Sequence, residues 1–312
     1  MKLIKPSFEI IEQKPRDIVI PADMEIGPRM WKDELINSVY RQIEIAGRTC
    51  YKSEDKITET SAKEFVDRMV KSGHGAMLEH GTVYLKVPNS VVDEGFQFGT
   101  NWSTLCLNPY TRYISDGDYY YYTTNYRVII EHDLQGVLEY LCEPTEYHVK
   151  RVTVRFICDM GVAREFCRHR LFSFAQESTR YCNYSKAKFG KELNCIIPCW
   201  YKNMFEGNSY NIELCHTYDL TISEGLSRTE AAWIQAMCEA ESTYFGLLTE
   251  GEPAQQARNV LPLALKTELI MTGTVEQWKG FFKLRDAGSA HPQAYELAHP
   301  LHEEFIKRGW IK

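Results

Sequence analysis

A helical period of apolar residues runs through two segments in the first quarter of the chain. Residues 33–47 carry this period and predict a helix that ends at Gly47. A capping box from Ser61 to Glu64, followed by an apolar stripe, predicts a second helix that ends at Gly73. The loop HGAMLEH follows, so it should connect this second helix to the next element.

Alternating apolar and polar positions predict strands over residues 82–88 and 149–158. Gly161 breaks the second alternation, and residues 162–170 then show a helical period. The second strand should therefore lead directly into a short helix.

A tyrosine-rich stretch over residues 110–130 predicts a hairpin that turns at Asp116 and Gly117. Its tyrosines could form a base-stacking surface, but cross-strand aromatic pairs are the favoured interpretation. A short helix is predicted over residues 133–141.

The C-terminal part is predicted to be mainly helical. Capping boxes at Ser227–Glu230 and Thr274–Gln277 each mark the start of a helix. The first of these helices should end at Gly251, and Pro253 suits the first position of the next one. A strand is expected over residues 267–274, and a last helix near the end of the chain. Together the elements predict a single α+β domain over residues 1–312, with a β-sheet packed against helices.

Composition and charge narrow the classes of function. Hydrophobic residues make up 44% and charged residues 25% of the chain, as in ordinary globular proteins. The net charge of -6 argues against general nucleic-acid binding. Without an apolar run of the ~20 residues that a membrane span needs, or a signal-peptide core, we expect a cytoplasmic protein with no membrane contact.

The ten cysteines show no paired zinc-ligand spacing, so reduced thiols and no metal site are expected. Cys215 and His216 form a lone adjacent pair, for which metal binding is a weak alternative.

The segment RHRLFSFAQESTRY, residues 168–181, concentrates cations among aromatic residues in this acidic protein. Between Gly161 and Tyr181 the arginines are Arg164, Arg168, Arg170 and Arg180, and the acids are Glu165 and Glu177. Because desolvating an unpaired charge is costly, either carboxylates elsewhere in the fold or an anionic ligand should compensate these arginines. Arginine suits bidentate phosphate recognition, and Ser178 can add a hydrogen bond, so phosphate or nucleotide binding and internal ion pairing both remain open.

The spacing of this segment resembles a known signature. Arg168-His169-Arg170, then seven residues, then Ser178 is similar to the RHRx7S motif of the flavin-dependent thymidylate synthases, and Arg180-Tyr181 agrees with it. Further segments resemble other blocks of that family, in order along the chain: AGRTCYKS, MVKSGHGAMLEHGTVYLKV, ARNVLPLALKTELIMT and FFKLRDAGSAHPQAYELA. By this resemblance, residues of about 89–148 and 187–225 are lineage-specific insertions into one domain with the family's fold.

The resemblance implies a methyltransferase. Such enzymes convert dUMP to dTMP with methylenetetrahydrofolate as carbon donor, FAD as hydride carrier and NADPH as reductant. The resemblance also implies a homotetramer whose active sites are shared between subunits. FAD, dUMP, the folate and NADPH are all anionic, which suits an arginine-rich pocket.

The resemblance also implies roles for individual residues. Arg285 would be the catalytic cation against the uracil ring, where it favours ionisation at N3. The residues implied for dUMP are Glu165, Phe166, Cys167, Arg168, Gln176, Glu177, Ser178, Thr179, Arg180, Arg258 and Arg285. The residues implied for FAD are His74, Ala76, Arg168, His169, Arg170, Gln176, Thr274, Gly280 and His291, where His291 could instead lie near the folate.

Several positions depart from the family pattern or have structural explanations. Many members carry an acid where this chain has Gln176, and here the acid is Glu177, one position later. Thr274 and Gly280 replace asparagines that commonly contact FAD. Glu79 and His80 are interpreted as a structural pair beneath the HGAMLEH loop.

Three alternatives differ in what they predict. A nucleotide- or RNA-binding module without catalysis would be colourless and bind oligonucleotides in a salt-dependent manner. A flavin enzyme outside the family would oxidise NADPH without responding to dUMP. A degenerate family member would serve a structural role.

Overall fold

In the computed structural model of the chain, residues 1–16, 27–97, 101–213, 220–221 and 224–312 are described. The strands are β1 (Lys2–Ile4), β2 (Ser7–Ile11), β3 (Thr82–Pro88), β4 (Arg112–Ser115), β5 (Tyr119–Asn125), β6 (Arg151–Asp159), β7 (Ser173–Gln176), β8 (Asn194–Ile196) and β9 (Lys266–Thr274). The α-helices are α1 (Pro28–Tyr51), α2 (Ser61–Lys71), α3 (Gly75–Leu78), α4 (Asn89–Gln97), α5 (Asn101–Leu107), α6 (Tyr126–Glu131), α7 (Met160–Phe166), α8 (Arg228–Thr249), α9 (Ala254–Ala257), α10 (Val275–Arg285) and α11 (Pro292–Lys307). This mixture of sheets and packed helices confirms the α+β class.

The central sheet is antiparallel, with strand order β2-β6-β9-β7. A second sheet has the order β3-β5-β4, and β1 pairs in parallel with β8. β6 and β9 pair along their whole length, from Arg151 opposite Thr274 to Asp159 opposite Lys266. The strands predicted over 82–88, 149–158 and 267–274 are therefore confirmed, and β7 is an edge strand that the sequence pattern did not indicate.

The central sheet is buried on both faces. On one face, Phe156 of β6 and Met271 of β9 pack with α7, α10 and α11 in an aromatic-rich core. On the other face, Ile270 of β9 and Ala175 of β7 join a second core with α1, α2, α3 and β3. Because β9 is covered on both sides, its residues 267–273 are all buried, and the apolar residues Leu269, Ile270 and Met271 are consecutive rather than alternating.

The first helix does not end at Gly47 as predicted. α1 continues to Tyr51, and Lys52 in the left-handed conformation caps it. A Cβ at position 47 would clash with the ring of Phe65 on α2. Gly47 therefore allows two helices to approach closely, and it is a packing residue rather than a helix terminator.

The start of the second helix also differs from the prediction. Thr60, rather than Ser61, holds the N-cap position, and no side-chain capping bond forms there. The Ser61 hydroxyl instead accepts a hydrogen bond from the Thr58 amide at 2.9 Å and donates to Glu44 of α1 at 2.9 Å. A tertiary bond has replaced the local cap. The end at Gly73 is confirmed, because Gly73 has φ +70° directly after the C-cap residue.

The tyrosine-rich hairpin is confirmed, with its turn at Asp116 and Gly117 between β4 and β5. Its tyrosines form cross-strand and neighbouring aromatic pairs, such as Tyr113 with Tyr122 at 5.6 Å between ring centroids. The second arm was predicted too long, because Tyr126–Glu131 is the helix α6, capped by the Asn125 side chain. The helix predicted over 133–141 is a 3₁₀ helix, Gln135–Tyr140.

Both C-terminal capping boxes are confirmed, at Ser227–Glu230 for α8 and Thr274–Gln277 for α10. Gly251 follows the end of α8 with φ +98°, as predicted. Pro253 holds the N-cap of α9 rather than its first helical position. A 3₁₀ turn, Arg258–Val260, follows α9, and Leu261 is extended because it precedes Pro262.

Within the described residues, no helix has the length and apolar character needed to cross a membrane. The nine described cysteines are all free thiols. The Cys215–His216 pair lies outside the described residues.

Candidate functional site

The C-terminal ends of α7 and α10 meet over the central sheet. α7 starts where β6 ends, and α10 starts where β9 ends. Because β6 and β9 are antiparallel neighbours, these two points lie at opposite ends of the strands. The two helices therefore run toward each other across one face. Arg285 at the end of α10 donates through Nη1 to Glu165 Oε2 at 2.5 Å and through Nη2 to the Glu165 carbonyl at 2.9 Å. Its Nε donates to His169 Nε2 at 3.1 Å. We call Arg285, Glu165 and His169 the arginine node.

The arginine node is half-buried and holds a fixed cation. Only 17% of the Arg285 side chain is exposed. Burial, and then the positive charge of Arg285, lower the pKa of His169 to about 4, so its imidazole is neutral and accepts from the guanidinium. Arginine has five N–H donors, and within the described residues three of them are used here. Two donors on an oriented guanidinium are left for a ligand.

The remaining arginines of the basic segment are exposed. Arg168 and Arg170 flank half-buried His169 and point to solvent, and Arg180 follows in the next loop. In the part of the chain that the structure describes, none of these three forms an ion pair. A carboxylate thus compensates Arg285, whereas the described residues offer none to Arg168, Arg170 or Arg180, although Arg180 also lies over the Tyr181 ring at 5.1 Å.

Other residues implied for ligand contacts around α7 and α10 also have structural contacts. The Phe166 ring is fully buried in the aromatic core against Phe156 and Phe281. Cys167 is partly buried against the same core. Thr274 is the N-cap of α10, where its hydroxyl accepts from the Gln277 amide at 3.2 Å. Gly280 is exposed, with open space where a side chain would extend.

Gln176 and Glu177, at the end of β7, point to different surroundings. Gln176 Nε2 contacts Thr267 Oγ1 at 3.3 Å and is half-buried. The side chain of Glu177 is only 2% exposed, and it accepts from Lys266 Nζ at 2.8 Å and from the Tyr184 hydroxyl at 3.2 Å. Within this chain the carboxylate of Glu177 is occupied by structural contacts.

Glu177 belongs to an ion-pair network beneath the segment that follows β7. Lys266 also contacts Glu268 at 2.7 Å, and Glu268 contacts Lys52 at 2.9 Å. Burial opposes the charge of Glu268, but the two lysines outweigh it and lower its pKa to about 2. We call Glu177, Lys266, Glu268 and Lys52 the lysine–glutamate network. It ties the end of α1 to β7 and β9.

The segment after β7 lies along the end of α1. The Ser178 amide donates to the Cys50 carbonyl at 3.0 Å. Tyr181 then contacts Tyr51 edge-on, with 5.5 Å between ring centroids, and Tyr51 stacks on His74 at 6.4 Å with a 3.0 Å bond from its hydroxyl to His74 Nδ1. Three segments that the family resemblance singled out separately therefore meet at this aromatic group.

A cleft of about 850 Å³ opens beside these rings. We call it the basic cleft; its charged lining residues are Arg48, Asp55, Lys56, Arg68, Lys71 and Lys188. Arg48 is neutralised by Glu44 at 3.0 Å, whereas Arg68, Lys71 and Lys188 are exposed. The cleft presents aromatic rings and unneutralised cations to a ligand.

The HGAMLEH loop contains one exposed and one buried histidine. His74 is exposed and lines the basic cleft, Ala76 is exposed on α3, and His80 is completely buried. Burial, and then the charge of Arg151, lower the pKa of His80 to about 3, and its Nδ1 is 2.8 Å from Thr272 Oγ1. Glu79 pairs with Arg127 at 2.7 Å. Both Glu79 and His80 are structural, but they do not pair with each other.

A second cavity, of about 530 Å³, is bordered by Arg164 and Glu165 of α7. We call it the tryptophan cavity, because Trp200 and Trp233 also line it, together with Met237 and His291. Thr179 is half-buried in the loop after β7, and exposed Arg258 ends α9 without lining either cavity. Within one chain, Glu165 and His169 thus contact Arg285 in the arginine node, whereas Tyr181 and His74 both contact Tyr51 beside the basic cleft.

Several residues at these cavities were not indicated by the sequence. Arg68 and Lys71 are three apart on α2, and this spacing alone marks an ordinary solvated face. Tyr51 lies in the block AGRTCYKS, which was noted without a role for any residue. Lys188 and Trp200 lie in a predicted insertion, where no motif marked them.

The chain was compared with known proteins. The family model described as "Thymidylate synthase complementing protein" matches residues 144–308, more than half of the chain. A flavin-dependent thymidylate synthase of Pyrococcus furiosus is 28% identical over 155 residues, covering 50% of this chain and 54% of that protein. A probable flavin-dependent thymidylate synthase of Paramecium bursaria Chlorella virus 1 is 25% identical over 175 residues, covering 55% of this chain and 75% of that protein.

Among solved structures, a UMP/dUMP methylase, PolB from Streptomyces cacaoi, bound with 5-Br dUMP, is 16% identical with a TM-score of 0.40, covering 98% of this chain and 93% of that one. The chain spans about half the length of the Pyrococcus relative that it matches. The family match covers the arginine node, the segment after β7 and the whole central sheet except β2. The chain belongs to the thymidylate synthase complementing protein family.

Proposed function

We propose that this protein is a flavin-dependent thymidylate synthase. It would transfer the methylene of methylenetetrahydrofolate to C5 of dUMP, with a hydride from reduced FAD completing the methyl group, the C5 proton leaving to water and NADPH reducing the flavin again. Family membership and the names of the curated relatives support the reaction. The observation that carries the proposal is the set of exposed arginines, Arg168, Arg170 and Arg180, that form no ion pair with the described residues, because every ligand in this reaction is anionic.

The basic cleft fits a flavin nucleotide in size and chemistry. Its volume lies within the range typical of sites for small molecules and cofactors. His74 and Tyr51 offer ring faces for stacking, and Arg68 and Lys188 offer positive charge for a pyrophosphate. When bound, FAD supplies the redox chemistry, and the protein contributes binding, orientation and electrostatics.

Further residues would hold the flavin and the nucleotide. Arg168, His169 and Arg170 remain predicted for FAD, where two exposed guanidiniums beside a neutral imidazole can pair with phosphate oxygens. Ser178 and Arg180 remain predicted for the dUMP phosphate. Ser178 is positioned by its backbone bond to the end of α1, so its hydroxyl has a defined location.

Arg285 would act on the uracil ring. Glu165 fixes the guanidinium at two nitrogens and His169 fixes the third, so its orientation is set before any ligand binds. The two remaining N–H donors can then stabilise negative charge that develops on the ring without a reorganisation cost. His169 supports this role by staying neutral, because a protonated imidazole would repel the guanidinium.

We also propose that the active site is shared between subunits of a homotetramer. The supporting observation is that one chain leaves the arginine node and the aromatic residues of the basic cleft in separate groups. Mixing Arg285→Ala with His74→Ala protein tests this idea. If sites are shared, the mixture regains activity that neither variant has alone. A monomer by light scattering, or a mixture without regained activity, contradicts shared sites.

Two measurements test the reaction itself. We expect the purified protein to show the visible absorption of bound flavin. We also expect it to release tritium from dUMP labelled at C5 when methylenetetrahydrofolate and NADPH are present. A yellow protein that releases no tritium would overturn the proposed reaction.

A further inference from the structure

Two consecutive charged residues at the end of α10 are held by two different helices. Arg285, the last residue of α10, contacts the end of α7 through the arginine node. Asp286, the C-cap of α10, faces α11 instead, where its Oδ1 is 2.8 Å from His299 Nδ1 and its Oδ2 is 2.6 Å from His302 Nδ1. The backbone that joins Arg285 to Asp286 is therefore anchored on both sides.

The position of Asp286 is electrostatically unfavourable for an acid. The C-terminal end of a helix carries a partial negative charge, which repels a carboxylate. Because the side chain of Asp286 is only 13% exposed, water solvates its charge only in part. A carboxylate accepts hydrogen bonds and cannot donate them, so both imidazoles donate to it through Nδ1. His299 and His302 thus occupy both oxygens of Asp286 and offset the repulsion.

Stacking against neighbouring rings orients the two imidazoles. His302 lies flat on Phe282 of α10, with 4.4 Å between ring centroids and 13° between the ring planes. His299 lies flat on Tyr295 of α11, with 5.1 Å between centroids and 9° between planes. Each imidazole is therefore held in one plane, with Nδ1 directed at Asp286 before any ligand binds.

The end of α10 has little else to hold it. The last carbonyls of a helix have no partner within the helix, and helix ends fray. The side chain of Leu284, next to Arg285, is 59% exposed, so core packing does not fix this residue. The contacts of the arginine node hold the tip of the Arg285 side chain, whereas Asp286 holds the backbone from which that side chain starts. A displacement of about 1 Å at a reacting group can cost up to ~10²-fold in rate, so both ends of the side chain matter.

We propose that Asp286 is a positioning residue for Arg285, and that His299 and His302 keep it in place. This inference rests on the proposed function and deepens it, because Arg285 is the cation that acts on the uracil ring there. Asp286 itself contacts neither the ring nor the flavin. It holds the end of α10 so that the two free N–H donors of Arg285 stay aimed at the ligand.

The first experiment measures tritium release at equal flavin content. Asp286→Ala should lower kcat about tenfold and leave the KM for dUMP within about twofold, because Ser178 and Arg180, proposed for the phosphate, lie on another segment. In the Arg285→Ala background, Asp286→Ala should lower kcat further by less than about twofold. The same tenfold loss in both backgrounds would show that Asp286 does not act through Arg285.

Two further variants separate positioning from stability. His302→Ala should lower kcat, whereas His302→Asn should restore most of it, because the Asn amide nitrogen can donate from about the place of Nδ1. Phe305→Leu is the control, because Phe305 packs between the same two helices and carries no group that holds Asp286. It should lower the Tm but keep kcat within about twofold of wild type. A loss of kcat in Phe305→Leu equal to that in Asp286→Ala would overturn the proposal, since lost stability alone would then explain both.

The last experiment needs no substrate. In the full-length protein labelled with ¹⁵N at arginine Nε, the Arg285 signal is assigned with Arg285→Lys. We expect this signal to shift and broaden in Asp286→Ala and to stay in place in His302→Asn. A wild type that releases no tritium refutes the synthase proposal, while the Arg285 signal still tests the positioning. A wild type that releases tritium, with kcat and the Arg285 signal unaffected by Asp286→Ala, refutes the positioning role alone.

Discussion

The lysine–glutamate network and the basic cleft lie next to each other, yet they treat positive charge in opposite ways. In the network, Lys266 and Lys52 are largely buried and each contacts two carboxylates. In the cleft, Arg68 and Lys71 are exposed, and the described residues provide no ion pair for either. The comparison separates cations that hold the fold from cations that are available to a ligand.

The arginine node combines both properties. Arg285 is compensated by Glu165, as in the network, but keeps two N–H donors, as in the cleft. A compensated guanidinium has a defined orientation, which catalysis requires, whereas the exposed ones contribute charge without a fixed geometry. We therefore expect mutations in the arginine node to lower turnover. Mutations in the lysine–glutamate network should lower stability, and mutations in the basic cleft should weaken ligand binding.

The largest effect is expected at Arg285. Arg285→Ala should lower kcat by about 10²–10³-fold, the effect of removing one preorganised electrostatic donor. Arg285→Lys keeps the charge but loses the fork that binds Glu165 and His169, so it should be intermediate. Tritium release at equal flavin content measures both. Turnover within threefold of wild type in Arg285→Ala would remove Arg285 from the proposed mechanism.

A large effect on stability is expected at Glu177. Glu177→Ala leaves Lys266 with one carboxylate in a buried setting, so the free energy of unfolding should fall by about 2–3 kcal/mol. Gln176→Ala is the control, because its 3.3 Å bond is long and it carries no charge, and its cost should stay below about 1 kcal/mol. Urea unfolding measures both. Equal losses of unfolding free energy in Glu177→Ala and Gln176→Ala would show that the lysine–glutamate network does not stabilise the fold.

A medium effect on binding is expected in the basic cleft. The double variant Arg68→Gln with Lys188→Gln should raise the Kd for FAD about tenfold, through two lost and partly exposed ion pairs. Its free energy of unfolding should change by less than about 0.5 kcal/mol. Lys63→Gln, on the same helix α2 but outside the cleft, should leave FAD binding unchanged. Unchanged FAD affinity in the double variant would place the flavin elsewhere.

A smaller effect is expected in the pH dependence of stability. His169 has a folded-state pKa of about 4, below the usual value near 6.5, so the unfolded state binds more protons between these values. Its contribution to stability is complete above pH 6.5 and decreases as the pH falls toward 4. His169→Asn, which accepts a hydrogen bond without titrating, should show a shallower loss over this range. Urea unfolding at several pH values compares the slopes, and identical slopes would contradict a depressed pKa.

The smallest effect is expected at the cysteines beside the motif. Burial, and then Glu177, raise the pKa of Cys182 to about 12, and burial raises the pKa of Cys167. Both thiols therefore stay protonated and are poor nucleophiles at neutral pH. Cys167→Ser and Cys182→Ser should retain tritium release. Lost turnover at normal flavin occupancy in either variant would indicate a nucleophilic cysteine.

Local signals in the sequence were sufficient for much of the fold. The capping boxes at Ser227 and Thr274, and the alternation through β3 and β6, depend on residues within a few positions of one another. Two failures were at residues whose partner is distant in the sequence. Gly47 and Ser61 are residue types that often end or cap a helix, but Gly47 packs against Phe65 and Ser61 donates to Glu44 instead.

The prediction of the candidate site shows the same division between what local sequence indicates and what distant contacts decide. The motif Arg168-His169-Arg170 with Ser178 indicated the family and the anionic character of the ligands, because residue type and spacing are properties of the sequence itself. Only the tertiary structure showed that Glu165 and His169 fix Arg285 and that Glu177 is buried against Lys266. It also showed that Arg168, Arg170 and Arg180 are exposed. The physical reason is that the state of a charge depends on which groups surround it. Those groups come from strands and helices that are distant in sequence and become neighbours only when the sheet forms.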